Sequence, residues 1–404
     1  MIAQLRGSLI HLILLGSSLL FTACASPQSP PQESLWGAVI EIGRAEQGTA
    51  PAIWTTEQGI AAAWIGADDT GVHQDAIMIR EGSSQERVVL PLPPVHPFDQ
   101  QMIPASNGYI HLLWLDANPE HENRLYAALL TPTLQIERGP TLISSALTLH
   151  YAAVSDGRGG VWVAWSGRLL AEPELYTQYI DSAGRPRQPN RIAASADWLA
   201  MTRANVGDTY LFWLHPINRQ IYHTLLENGT AESIDVLGQA IDIAPGDRLM
   251  DFHAALDTSY AYLFWNITHI DGTSEAWYTS AKLDSGAWSY PGRLGFGIES
   301  ETQLNTGFNG GTAKSALSGF SWFSWISPLI GQFDMLPAAA YRDGNLLVVY
   351  FRDGVIAGYQ TVVVTRPVVG APALATDQNR HLYLTWSEPN PAGYADLKLT
   401  TTRR

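Results

Sequence analysis

Cysteine is almost absent: Cys24 is the only one in 404 residues. No internal disulfide can form, so the fold must hold itself together by core packing. Lysine is scarce as well, with Lys282, Lys314 and Lys398 alone, and the formal net charge is −14. A surface of that sign repels phosphate backbones, which excludes nucleic acid as a partner. The short motifs of nucleotide, acyl and metal chemistry are missing too: there is no Walker P-loop, no dinucleotide-binding glycine fingerprint, no Gly-x-Ser-x-Gly elbow and no EF-hand run. His121-Glu122 is followed by Asn123, Arg124 and Leu125, so the second histidine of a zinc-protease helix is lacking. No cofactor and no metal site is expected.

What the chain has in abundance is one phrase. A strand of small residues, a Gly/Asp/Asn turn and an apolar strand closing on an aromatic residue recur seven times, with anchors at Trp64, Trp114, Trp165, Trp213, Trp265, Tyr350 and Trp386. Strands repeating at such a period predict a β-propeller. The second strand of each phrase is apolar at nearly every position, as in Ile60-Ala61-Ala62-Ala63-Trp64, which fits burial on both faces between neighbouring sheets. Alanines gather in the first strands, at Ala52, Ala105, Ala152, Ala153, Ala254, Ala255, Ala338, Ala339, Ala340 and Ala373, where blades converge and room is least. Anchor spacings are 50, 51, 48, 52, 85 and 36 residues. The long interval predicts an insertion at about 296–334, between the last strand of one blade and the first of the next, rather than an eighth blade. After Trp386 only residues 395–401 supply a further strand, and residues 34–42, SLWGAVIEI, are expected to complete that last blade and join the termini. The fold class is therefore expected to be all-β, a propeller of seven four-stranded blades.

Residues 1–23 read as an export signal, with Arg6 ahead of an apolar run at 9–21 and Thr22-Ala23 before Cys24. Small residues just before a lone cysteine resemble the bacterial lipobox, which implies that Cys24 is lipidated and becomes the mature N-terminus; an ordinary signal peptide cut at Ala23-Cys24-Ala25 or an uncleaved anchor are the alternatives. Residues 24–34 then hold the lipid and a Pro/Ser/Gln tether, SPQSPPQES at 26–34, and residues 35–404 form the propeller. The expected address is the outer side of the cytoplasmic membrane, the outer membrane or the cell surface, with the lipid as the membrane contact.

Propeller loops fall on two rims. Turns between first and second strands are tight here, as in Glu57-Gln58-Gly59 and Ser106-Asn107-Gly108, and their Gly, Asn and Asp serve turn geometry. Loops between second and third strands are longer and share the other rim with the connections between blades. They carry Asp68, Asp69, His73 and Asp75; Asp116, Glu120, His121 and Glu122; Glu172, Glu174 and His215; His269, Asp271 and Glu275; and Glu388. Binding is expected on that rim. Pairs such as Glu120/Glu122 or Asp68/Asp75 would suit glycoside hydrolysis if their carboxyl groups stood roughly 5 to 9.5 Å apart. Solvation of acids on exposed loops is the plainer reading.

The repeated phrase resembles the sialidase-like superfamily of bacterial propellers, in which Asp-boxes of the form S-x-D-x-G-x-x-W stabilise turns between third and fourth strands. Asp284-Ser285-Gly286-Ala287-Trp288 is a degenerate box, and Asp181-Ser182-Ala183-Gly184 is a weaker one. The resemblance implies the propeller fold and brings glycans in as a ligand class. The Arg-Ile-Pro segment of catalytic sialidases is absent, and Phe351-Arg352-Asp353-Gly354 fits a hairpin turn instead.

The insertion is the most distinctive local feature. Residues 315–333, SALSGFSWFSWISPLIGQF, are 19 residues without a charge. Phe320, Phe323, Ile326 and Ile330 fall at helical intervals with Trp322, Trp325 and Leu329 beside them, so a helix packed over the ring mouth is expected. A partner-protein surface or a membrane-interface surface are the alternatives. The function expected from these features is a non-enzymatic, lipid-anchored binding or assembly module for an envelope protein or an extracellular polymer. The competing reading is a sialidase-like protein that binds or hydrolyses glycans.

Overall fold

The computed structural model describes residues 35–402, apart from 69–70, 81–82, 85–86, 92–95, 118–122, 145–146, 169–171, 206–207, 228–229, 232, 258, 272–273, 284–286, 294–323, 326–334, 343–344, 378 and 380. Cys24, Asp69, Glu120, His121, Glu122, Phe320, Trp322, Phe323, Ile326 and Leu329 lie outside the described residues.

Seven antiparallel sheets succeed one another along the chain, and their first strands approach each other around a ring. The fold is a seven-bladed β-propeller. Blade 1 runs from the inside outward as Ala52–Thr56, Gly59–Asp68 and Gly71–Arg80, with an outer strand broken into Ser83–Ser84 and Val88–Val89. The second strands of blades 2 to 7 are Ile110–Ala117, Val161–Arg168, Asp208–Leu214, Tyr260–Thr268, Asn345–Arg352 and Leu382–Pro389. Each of these lies within a residue or two of an apolar run in the sequence, extended towards the loop-rich rim.

Closure follows the expectation. Ile40–Ala45 pairs antiparallel with Ala395–Thr401, and Trp36 adds a bridge to Thr402, so the chain's first strand is the outer strand of blade 7. The junction is fastened by the Lys398 ammonium, which donates to the Glu41 carboxylate at 2.8 Å.

The core is not central but divided into seven hydrophobic clusters, one at each junction between adjacent blades. Each tryptophan anchor turns towards the preceding blade: Trp64 into the junction of blades 7 and 1, Trp114 into that of blades 1 and 2, and so on to Trp386 between blades 6 and 7. Blade 6 corrects the expected series. Its anchor is Phe351, fully buried against blade 5, whereas Tyr350 points the other way towards blade 7. Leu346 to Phe351 are apolar in succession, so the sequence could not tell the two faces apart; in the strand Leu347, Val349 and Phe351 face blade 5, and Leu346, Val348 and Tyr350 face blade 7. Blade 2 departs as well: Ala105 lies one residue past its inner strand, Pro97–Pro104, which packs Met102 and Ile103 instead.

The insertion enters after Gly292–Arg293, the outer strand of blade 5, and ends before Leu336–Arg342, the inner strand of blade 6. Within it the backbone of Ser324–Trp325 is a strand and not part of a helix, paired with Ala339 and Ala338. An inner strand offers unpaired N–H and C=O groups along its axial edge, and two residues of extended chain satisfy them where helical spacing alone would not. The fourth strand of blade 6 is thus on its inner edge, against the inner strand of blade 7, Ala373–Thr376.

Candidate functional site

The loop-rich rim carries the residues that the sequence nominates. In blade 1, His73 and Asp75 sit two residues apart on the third strand and so on one face of it. His73 Nε2 lies 3.3 Å from Asp75 Oδ2 and 3.8 Å from Asp68 Oδ2, and Arg87 reaches Asp75 Oδ2 at 3.4 Å. Gly66, opposite His73, makes the space: a Cβ there would come within 2.3 Å of Asp75 Oδ2. Asp75 is fully buried, and burial raises its carboxyl pKa despite the opposing pull of His73 and Arg87.

Blade 5 assembles a second group. The His269 ring contacts Asp247 at 2.6 Å through Nδ1 and Glu275 at 3.3 Å through Nε2, while Arg293 holds Glu275 at 2.7 Å. Burial disfavours a charged His269, but the bonds and charges of Asp247 and Glu275 outweigh it and the net shift is upward. Arg293 also lies over the Trp277 ring, 5.2 Å from its centroid. Asp271 is exposed on the turn that follows His269.

Blade 3 repeats the arrangement. Arg191 meets Glu174 at 2.7 Å, Tyr176 donates its hydroxyl to the other Glu174 oxygen, and that bond raises the tyrosine pKa. Tyr176 stacks on Trp165 with centroids 5.7 Å apart. Beside it His150 stacks on Trp198 at 3.8 Å and faces Asp197 at 3.3 Å. Blade 7 adds Arg366 at 3.6 Å from Asp396. Among the described residues, blades 3 and 5 thus each place a carboxylate at the start of the third strand and an arginine on the outer strand, blade 1 pairs mid-strand Asp75 with Arg87, and in blade 7 the arginine comes from the connection that precedes the inner strand.

Asp116 and Glu388 work inwards instead. Asp116 accepts the His96 backbone N–H at 2.9 Å, and Glu388, buried, takes the Thr365 N–H and the Trp386 indole N–H, both at 3.0 Å. The arginines were not singled out from the sequence. A signal exists in Glu174-Leu175-Tyr176 and Glu275-Ala276-Trp277, each followed 17 or 18 residues on by Arg191 or Arg293. Among the described residues no three His, Cys, Asp or Glu side chains are grouped to hold a metal ion.

The opposite rim holds a feature that the sequence did not suggest. A groove of about 1150 Å³ crosses the inner-to-second turns of blades 7, 1 and 2, with Trp54, Tyr109, Gln58, Asn107 and Asn379 among its walls. The turns beneath are clamped by aspartates. Asp377 Oδ1 accepts the Asn379 and His381 N–H groups, each at 2.9 Å, and its Oδ2 takes His381 and Tyr383, each at 3.0 Å. Asp156 and Asp257 do the same in blades 3 and 5, with Tyr179 and Tyr262 as hydroxyl partners at 2.8 and 2.6 Å. Asp181, from the weaker box, clamps its turn through Ala183 and Arg185, both at 2.9 Å.

No protein-family model matches the chain, and no curated protein matches it in sequence. Solved structures match it in shape. The polysaccharide lyase Uly1 is 10% identical with a TM-score of 0.57, over 93% of this chain and 94% of that one. A protein of unknown function from Dyadobacter fermentans is 10% identical with a TM-score of 0.47, over 90% and 98%. The six-bladed lectin of Aleuria aurantia, whose structure shows fucose recognition, is 10% identical with a TM-score of 0.45, over 80% and 97%. At such identity the likeness to Uly1 speaks for the propeller fold alone.

Proposed function

We propose that the chain is a non-catalytic recognition propeller for an extracellular glycan, tethered to the membrane through a lipid on Cys24. The observation that carries this reading is the repeated unit of carboxylate, arginine and partly exposed aromatic ring in blades 3 and 5, Glu174/Arg191/Tyr176 and Glu275/Arg293/Trp277. A guanidinium held by a carboxylate offers fixed donors beside a ring face, which suits hydroxyl-bearing rings that stack and accept hydrogen bonds. Acid and base catalysis asks for the opposite: two carboxylates left open towards the same bond. Here Asp75, Glu174, Glu275 and Asp396 are each engaged by a guanidinium of their own blade or its neighbouring connection.

The test is a glycan array probed with the full-length protein in detergent, alongside Arg191→Ala and Arg293→Ala. Binding to a defined glycan, weakened about ten- to a hundredfold by either change through loss of a charge-assisted bond worth about 1.5–3 kcal/mol, is the expected result. Binding indifferent to both changes, or turnover of the bound glycan, would overturn the reading.

A further inference from the structure

We propose that the groove on the tight-turn rim is a second binding site, separate from the loop-rich rim, and that it takes a neutral, hydroxyl-rich oligosaccharide. At about 1150 Å³ the groove exceeds the roughly 300–1,000 Å³ of sites that hold one small molecule, so it has room for an oligomer. Its chemistry selects among oligomers. Trp54 and Tyr109 contribute half-exposed aromatic faces from blades 1 and 2. Between and beside them stand the amides of Gln58, Asn107 and Asn379. Among the described residues the Asn107 and Asn379 side chains, both exposed, enter no hydrogen bond of the protein, so their donors and acceptors point to a ligand or to water.

Charge narrows the class. Among the described residues that line the groove, Arg80 and Glu57 carry opposite charges, and Arg80 donates to Gln58 Oε1 at 2.8 Å. Asp377 is held by His381 and Tyr383. With one charge of each sign left open, the described lining selects neither an anionic nor a cationic chain. A ligand that offers hydroxyl groups and a stacking face, without net charge, matches it.

The frame is built in advance of the ligand. Thr55 of blade 1 donates its hydroxyl to the Thr376 carbonyl of blade 7, tying the two walls together. Ala38 and Ile40 from the chain's first strand, and Thr400 to Thr402 from its last, complete the wall, so the groove exists only in the closed ring. A site already rigid loses less freedom on binding.

The experiment uses the full-length protein in detergent, titrated by calorimetry with hexasaccharides of neutral glucan, mannan and galactan, with a uronic-acid hexasaccharide and with a neutral peptide of similar length. A neutral hexasaccharide should bind, Asn107→Gly with Asn379→Ala should weaken it at least tenfold, and Trp54→Phe should spare most of the affinity that Trp54→Ala removes. Asn107 holds a left-handed turn position at φ 57°, which glycine keeps, and an unchanged melting temperature of the pair separates lost binding from unfolding. Hexasaccharide binding that Arg191→Ala or Arg293→Ala abolishes while the asparagine pair leaves it unchanged would place the sugar on the loop-rich rim and overturn the proposal. Failure of every neutral sugar to bind, preference for the uronic acid or the peptide, or indifference to the asparagine pair would overturn the proposal.

Discussion

Trp165 is buried at the junction of blades 2 and 3 and stacked on Tyr176, so the indole is at once a wedge between sheets and a floor for the rim above. Trp165→Ala should destabilise the protein by about 3–5 kcal/mol through the cavity it leaves, read from chemical denaturation. In blade 6 the same loss should follow Phe351→Ala, and a clearly smaller one Tyr350→Ala, because only Phe351 fills the junction with blade 5. The tyrosine of blade 5 shows a polar counterpart. Tyr262 gives its hydroxyl proton to Asp257 and accepts the Gly354 N–H at 3.0 Å, linking blade 5 to the hairpin of blade 6. Tyr262→Phe strands both partners in a buried place and should cost about 1–3 kcal/mol. His269 carries a pH dependence. Its pKa is raised in the folded state, so the stability it adds is full below its unfolded value near 6.5 and disappears as pH rises through the folded value. The melting-temperature gap between the protein and His269→Gln should accordingly shrink from about pH 5 to about pH 9.

At the scale of strands and blades, the sequence was most legible where burial is two-sided. The second strands are unbroken apolar runs because each is pressed between neighbouring sheets. Outer strands were far less legible. Those of blades 1 and 4 are split into two short pieces, since a strand with one solvated face and a free edge is held by few contacts and tolerates bulges. The closing strand is the exception, because its residues must fit a place made by the other end of the chain. Removing residues 36–45 should expose Leu397, Leu399 and Trp64 and leave the Ala395–Thr401 edge unpaired. The expected outcome is loss of a single cooperative thermal transition, followed by calorimetry. Lys398→Ala at the same seam removes an ion pair whose Glu41 half is exposed to solvent and should change stability by about 1 kcal/mol or less.

For the whole molecule, the seven clusters between blades make the ring a closed chain of dependencies rather than a globule with one centre. A surface with a net charge near −14 keeps such a ring soluble and repels its own kind. On the proposed reading, membrane attachment is a matter for the lipid on Cys24. Cys24→Ser should move the protein from the membrane to the soluble fraction in a fractionation experiment, and retention in the membrane would point to another anchor.

Some of this was determined by the sequence alone. Architecture, blade count and closure follow from periodicity and burial, which act on each segment locally and leave a trace in residue type: alanine near the axis, tryptophan in the junctions, a first strand without a partner of its own. What the tertiary structure alone decided is which polar groups meet. Arg191 and Glu174, or Asp247 and His269, stand 17 and 22 residues apart and come together only when strands are laid in register. The face taken by Phe351 was decided by how its strand seats between blades 5 and 7, and the groove is assembled from three blades and both ends of the chain. Packing is legible because many residues share its burden at a fixed period. A site is a single coincidence in space, and no period announces it.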